Sequence, residues 1–277
     1  TPLYSSAASD VYKRQVLEAG NKVRLMMKED LNIETKSNPN DLVTNVDKAT
    51  EDYIFEMIHQ NYPEHKVIGE EGHGHDLKDI NGVVWVVDPI DGTLNFVHQQ
   101  ENFAISIGIY HEGQPYAGFV YDVMRDILYH TKVGEGAYEN NHPLEKLKST
   151  QLKTSIIGIN PNWLTKPIMG PIFTPIVDDA RSARAYGSAA LEIVSVAKGQ
   201  LDAYVTPRLQ PWDYAGGLMI LNEVGGKGTN LLGDALTINQ PNSIVMANPS
   251  LHDELLNNYL NEFEETLRKH HKRRFGR

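Results

Sequence analysis

The stretch Trp85-Val86-Val87-Asp88-Pro89-Ile90-Asp91-Gly92-Thr93-Leu94-Asn95-Phe96 opens as an apolar run and closes on two aspartates three residues apart. Residues 83–87 are all apolar, the pattern of a buried strand. Pro89 removes a backbone donor and biases Asp88 toward extended backbone. Gly92 allows a tight turn, and Thr93 brings a hydroxyl and an N–H to a helix start. A carboxylate that closes an apolar strand is costly to bury without a partner. Two of them beside exposed amides make a place where hard cations and a phosphate are held together.

Outward from this stretch the pattern is mixed. Val16, Ala19, Val23 and Met26/Met27 fall at helical spacing. Residues 36–47 are polar, with Asn38-Pro39-Asn40-Asp41 as a turn, and predict a loop or hairpin. A second helix is expected after Asp47, with Ala49, Tyr53 and Met57 on one face. Strands are expected at 104–110, 116–121 and 127–131, an antiparallel meander separated by turns such as His111-Glu112-Gly113. Further on, 155–159, 202–206 and 243–247 predict strands. Helices are expected at 188–198, stopped by Gly199, at 214–224, stopped by Gly225-Gly226, and from Leu251. The organisation predicted is α+β: an N-terminal half at 15–148, a C-terminal half at 149–266, and one shared site. Residues 1–14 are expected to be a non-native or disordered leader, and 267–277, rich in Lys, Arg and His, a disordered basic tail.

With 277 residues the chain can bury a large core, and 40% hydrophobic with 22% charged residues is ordinary for a globular protein. It has no cysteine, which excludes disulfides, thiolate metal sites and cysteine nucleophiles. A formal charge of −10 argues against nucleic acid or anionic membranes as general partners. A cytoplasmic location is the expectation, and no apolar run approaches the roughly 20 residues of a membrane span. An acidic chain suits an enzyme that binds phosphate through metal ions.

Other acidic residues have ordinary readings taken singly. Glu70-Glu71 after Val67-Ile68-Gly69 reads as solvated surface at a strand end. Asp213, after Trp212 and before a helix, reads as an N-cap, and so does Asp47, where Thr44 and Asn45 compete for the role. Together with Lys36, Asp41-Leu42-Val43-Thr44, the Asp88–Thr93 run and Gly187-Ser188-Ala189-Ala190, in this order, they say more. The chain resembles the inositol monophosphatase family of Mg-dependent, lithium-sensitive sugar phosphatases, over residues 16–260.

That resemblance implies a layered αβαβα sandwich of the inositol monophosphatase/fructose-1,6-bisphosphatase type, dimeric, with the site between the halves. It implies that Glu70, Asp88 and the Ile90 carbonyl hold a first Mg²⁺. Asp88, Asp91 and Asp213 would hold a second, and a third would sit near Glu70 through water. Carboxylates converging there would repel one another and rise in pKa without cations, and all-oxygen donors suit Mg²⁺. Thr93 with Asp47, taking a proton from the attacking water, and Glu70 are the implied catalytic groups. Asp91, Gly92, Thr93, Gly187, Ser188, Ala189 and Arg208 are the implied phosphate and substrate contacts, and Lys36 the loop lysine.

The chain departs from the animal inositol enzymes in one respect. Where they carry a glutamate that grips inositol hydroxyls, this sequence has Thr206, followed by Pro207-Arg208. Arg208 either meets a second phosphate, as in fructose 1,6-bisphosphate or NADP, or is a surface arginine. The expected function is hydrolysis of inositol monophosphate and related sugar phosphates. The same-family alternatives are a fructose-1,6-bisphosphatase or an NADP phosphatase. A different class would be a member that mainly binds RNA or transcription machinery. A glycosidase pair at Asp88 and Asp91 fits poorly, since it leaves the Gly92-Thr93 cradle and Asp213 unexplained.

Overall fold

Sequence alternation sets the layers. In the computed structural model, which describes residues 6–37, 39, 41–75 and 77–276, the apolar run forms a strand whose side chains serve two different cores. Val83, Trp85 and Val87 point to one side of it, Val84 and Val86 to the other. A strand buried on both faces needs cover on both, and the flanking elements supply it.

Helix α1 (Ser6–Met26) leads into a hairpin, β1 (Ile33–Thr35) and β2 (Leu42–Thr44), and then α2 (Asn45–Asn61). Strand β3 (Lys66–Gly69) runs parallel to β4 (Val83–Asp91), and α3 (Thr93–Gln99) follows. The chain then folds as a meander through β5 (Ala104–His111), β6 (Gln114–Asp122), β7 (Ile127–Lys132), β8 (Ala137–Glu139) and β9 (His142–Pro143). These complete a seven-stranded sheet in the order β3-β4-β5-β6-β7-β8-β9. Beyond it come β10 (Ile156–Gly158), α4 (Gly170–Asp179), β11 (Ser182–Arg184), α5 (Ala189–Ala197), β12 (Ala203–Leu209), α6 (Pro211–Glu223), β13 (Lys227–Thr229), β14 (Asn242–Ala247), α7 (Pro249–Leu255) and α8 (Glu264–Phe275). Their strands form a five-stranded sheet in the order β11-β10-β12-β14-β13.

Three helical layers enclose the two sheets. Tyr12, Val16, Ala19 and Val23 of α1 and Val46, Ile54 and Ile58 of α2 cover one face of the larger sheet. Helices α5 and α6 fill the space between the sheets, meeting Val120 and Tyr129 on one side and Tyr204, Ile244 and Met246 on the other. Ile172, Phe173 and Ile176 of α4, Leu251 and Leu255 of α7 and Leu267 of α8 cover the outer face of the smaller sheet. The expected αβαβα sandwich is what the chain forms.

The approach of α6 to the larger sheet is unusually close. A Cβ added to Gly216 would lie 2.7 Å from the carbonyl oxygens of both Ile107 and Phe119. Gly108 and Gly118, paired across β5 and β6, lie under the same contact. Only residues without a side chain let backbone meet backbone there.

Some expectations need correction. Helix α2 starts at Asn45, with Thr44 as its cap: the Thr44 hydroxyl accepts from the amides of Val46 and Asp47. The buried face carries Val46, Ile54 and Ile58, whereas Ala49, Tyr53 and Met57 are only half-buried at its edge. Asn38 and Asn40 of the expected turn lie outside the described residues, as do residues 1–5 of the expected leader. From Ser6 onward that leader is the first part of α1. Tyr12 is fully buried, its ring edge-on to Trp85 at 4.9 Å and to Tyr62 at 5.6 Å. The expected disordered tail is helix α8 up to Phe275, and Arg277 lies outside the described residues. One face of α8 buries Leu267 and His271, Ser243 and the His271 ring share a 2.7 Å hydrogen bond, and Gly276 closes the helix with φ 76°. The positive charges crowd the last turn, where the helix dipole favours them. Helix α4 and strands β8, β9, β11 and β13 were not expected, being short or, for α4, interrupted by Pro175.

If α8 is docked through Leu267, Leu267→Ala should destabilise the fold by about 2–5 kcal/mol in equilibrium chemical denaturation. An unchanged unfolding midpoint would mean that the helix is undocked in solution.

Candidate active site

Two aspartates three apart on a regular strand face opposite sides of the sheet. Here they do not. Asp88 pairs with Ser106 and Asp91 with Ala104, so three steps on β4 oppose two on β5. The extra residue is a β-bulge at Pro89-Ile90, where proline has no N–H to give the ladder. The bulge turns both carboxylates toward one volume. Asp213, in the first turn of α6, reaches the same place, and ligand oxygens of Asp88, Asp91 and Asp213 all lie within 4.8 Å of one another.

Each carboxylate is anchored by protein donors through one oxygen. The Ile90 amide donates to Asp88 Oδ1 at 3.0 Å. The Ala190 amide donates to Asp91 Oδ2 at 2.7 Å, joined by the Ser188 hydroxyl. The Gln210 amide donates to Asp213 Oδ2 at 2.8 Å. Asp88 Oδ2, fully buried, has no hydrogen-bond partner. Burial first, then mutual repulsion, raises these groups. Asp88 is pushed well above the carboxylate range by burial and by Glu70, Asp91 and Asp213. Asp213 is raised the same way, by burial and then Asp91 and Glu70, and Asp91 rises to about 7. A buried acceptor without a donor, amid clustered carboxylates that resist ionisation, fits a hard divalent cation.

Glu70 follows β3, whose parallel pairing with β4 brings it beside Asp88. Burial raises Glu70, and Lys36 opposes that rise. The Lys36 ammonium donates to Glu70 at 3.1 Å and to Glu71 at 2.6 Å, tying the residue after β1 to this turn. Burial lowers Lys36, but the two glutamates outweigh it and hold the lysine charged; Glu71 itself rises to about 7. The Thr93 hydroxyl lies 3.0 Å from Asp47 Oδ1 and 3.1 Å from the Ile90 carbonyl. Asp47 is fully buried at the third position of α2, where its other oxygen accepts from Thr44 in a reciprocal cap. Burial raises Asp47, against hydrogen bonds from Thr44 and Thr93. Its capping and its contact with Thr93 therefore coexist.

A cleft of about 680 Å³ opens beside Asp91 and Asp213. Gly187, Ser188 and Ala189 line it, together with Arg208 at its exposed edge and Thr206, which is buried. Gly92 has φ 95°, and a Cβ on it would lie 3.1 Å from Ser188 and 3.3 Å from the Gly187 carbonyl, tighter than ordinary contact. The Ala190 amide, Asn95 and Glu192 were missed. Asn95 donates to the carbonyls of Asn102 at 2.8 Å and Tyr186 at 2.7 Å, joining α3 to the loop before α5. Glu192 accepts from the Tyr186 amide at 2.8 Å and is raised by burial to about 7. A glutamate inside the apolar run Ala189-Ala190-Leu191-Glu192-Ile193-Val194 was the signal available for it.

The raised carboxylates have a pH consequence. Between the ordinary carboxylate range near 4 and about 7, Asp91 in the cation-free fold keeps a proton that the unfolded chain releases, and Asp88 and Asp213, raised by burial and mutual repulsion, add to the effect. Their contribution to stability therefore falls as pH rises through that window, and a bound cation has to displace those protons. The rise in Tm caused by Mg²⁺ over EDTA should be small near pH 5 and grow toward pH 8. A Mg²⁺ effect constant across that range would contradict the buried cluster.

The inositol monophosphatase family matches residues 7–265. The inositol-1-monophosphatase of Bacillus subtilis (strain 168) is 48% identical over 253 residues, covering 91% of this chain and 96% of the relative. The structure of 2′AMP-bound SaIMPase-II is 62% identical with a TM-score of 0.91, covering 97% of this chain and 100% of that one. An IMPase/NADP phosphatase complexed with Mg²⁺ and phosphate is 29% identical with a TM-score of 0.82, over 90% and 94% of the two chains. Fold, buried acidic cluster and full-length similarity agree, and the chain belongs to the inositol monophosphatase family.

Proposed function

We propose that this divalent-cation-dependent phosphomonoesterase acts on the phosphates of polyols, inositol monophosphate among them, and on nucleotide 2′-phosphates. Asp88, Asp91 and Asp213 carry the reading: their oxygens lie within 4.8 Å of one another, and Asp88 Oδ2 has no protein donor. In this proposal Glu70, Asp88 and the Ile90 carbonyl hold one Mg²⁺ and Asp88, Asp91 and Asp213 another. A third near Glu70 belongs to the same proposal. When bound, the cations offset the phosphate charge and stabilise the leaving alkoxide.

The chain's own residues do the rest. First-turn amides at Gly92 and Thr93, which have no intrahelical acceptor, receive the phosphate oxygens. The Thr93 hydroxyl accepts a proton from the attacking water as it passes its own to Asp47 Oδ1. Burial raises Asp47 and so makes it the better base. Water oxygen bonds to phosphorus, the P–O ester bond breaks, and the leaving oxygen takes a proton from solvent. Products are the alcohol and inorganic phosphate, with no covalent intermediate. The cleft gives room for a leaving group larger than inositol, with Arg208 at its edge. The relatives named for inositol 1-phosphate and bound to 2′AMP support both substrate classes. A homodimer and a cytoplasmic location remain part of the proposal; no helix among the described residues is long and apolar enough to cross a membrane. Light scattering of the purified protein tests the first.

Phosphate release over a panel of polyol phosphates, fructose 1,6-bisphosphate, 2′-nucleotides and NADP, with Mg²⁺ titrated and LiCl as competitor, tests the function. Turnover should require Mg²⁺ and fall with LiCl, and Asp91→Asn should lose at least about 10²-fold of kcat. Near-normal turnover in EDTA or in that variant would end the metal reading.

If Thr93 and Asp47 form one relay, Thr93→Val and Asp47→Asn should lower kcat far more than they raise KM. The double variant should be little worse than the poorer single one. Asparagine caps a helix about as well as aspartate, so a kinetically silent Asp47→Asn would leave Asp47 with its capping role alone.

A further inference from the structure

Glu51 sits on α2 one turn after Asp47, and it is 2% exposed. Both of its carboxylate oxygens are used on main chain. The Glu71 amide donates to Oε2 at 2.6 Å and the His73 amide to Oε1 at 3.1 Å. These amides belong to the turn that carries Glu70, which the Gly69 amide closes by donating to the His73 carbonyl at 2.8 Å. Glu51 comes so close that a Cβ on Gly69 would lie 2.4–2.5 Å from its carboxylate atoms. Gly69 is thus glycine because Glu51 fills the space a side chain would take. The turn is held on its far side as well. The His75 ring nitrogen lies 2.8 Å from the Gly69 carbonyl, and that ring stacks on Trp212, next to Asp213, at 5.7 Å and 7°.

We propose that Glu51 is a positioning residue for the cation site, holding the 69–73 turn so that Glu70 meets Asp88 while Glu71 meets Lys36. The inference rests on Glu70 being a cation ligand. With it, α2 serves the site twice: Asp47 orients Thr93, and Glu51, four residues on, orients Glu70. A carboxylate suits the task because both oxygens accept. A glutamine could satisfy one amide only, turning its own NH₂ toward the other.

Mg²⁺ titrations by calorimetry and by its effect on Tm, alongside Mg²⁺-dependent phosphate release, test this on the full chain. Partners that orient a ligand typically contribute 10–100-fold to metal affinity. Glu51→Gln should therefore weaken Mg²⁺ binding about 10-fold or more, with substrate KM at saturating Mg²⁺ little changed. Glu51→Ala leaves a hole that Gly69→Ala can fill, so the double variant Glu51→Ala/Gly69→Ala should regain Tm in EDTA without regaining Mg²⁺ affinity. A merely structural role would restore both. Glu70→Gln is the control. If it weakens Mg²⁺ binding and the Glu51 variants do not, Glu51 is not a positioning residue. If Glu70→Gln leaves Mg²⁺ binding intact, the assignment of Glu70 fails and the inference fails with it.

Discussion

Packing the carboxylates of Asp88, Asp91 and Asp213 into one buried volume is the constraint on which the rest of this structure depends. Like charges that close together, away from water, cannot all ionise without compensation. The fold accepts that cost only because each group has one oxygen held by a protein donor, from Ile90, from Ala190 and Ser188, and from Gln210. Those donors come from three elements far apart in sequence, so the site exists only when both sheets and the helical layer between them are assembled. Cation binding and folding are thereby coupled: whatever fills the cage relieves repulsion that the apo fold must otherwise carry as bound protons.

Much of this was legible in residue order. An apolar strand ending in Asp-Pro-Ile-Asp-Gly-Thr could hardly be ordinary packing, and the meander after it follows from alternating apolar runs and turn residues. What residue order did not disclose was geometry of contact. Asp88 and Asp91 point the same way only because of a bulge, which depends on the register against β5 and not on local propensity. Likewise, Asp47 is both helix cap and partner of Thr93, two roles that spacing alone sets up as rivals.

The termini misled for a physical reason. Residues 267–277 are dominated by charge, and composition speaks for solvation. Yet Leu267 and His271, one turn apart, suffice to seat a helix whose other face is wet. At the start of the chain Tyr12 stands one turn before Val16, Ala19 and Val23 on the same helix face, but mostly polar neighbours surround it, and its burial against Tyr62 and Trp85 shows only in the tertiary packing. Glu51 went unread for the opposite reason, whereas Glu192 stands inside an apolar run that marks it. A buried acid on a helix looks like any surface acid until its hydrogen-bond partners on another segment are known.

The glycine contact under α6 bears on the width of the acidic cage. Gly216 rests against the carbonyls of Ile107 and Phe119, three residues from Asp213, with no side chain in between to absorb a shift. Backbone against backbone therefore fixes how far one wall of the cage stands from the two aspartates of β4. Oxygen ligands sit about 2.0–2.1 Å from Mg²⁺ and about 2.3–2.6 Å from Ca²⁺, so a few tenths of an ångström separate the two ions. A single methyl group at position 216 would have to move the helix by about as much. The width of the acidic cage is then a property of helix–sheet spacing, written in residues outside the acidic cluster.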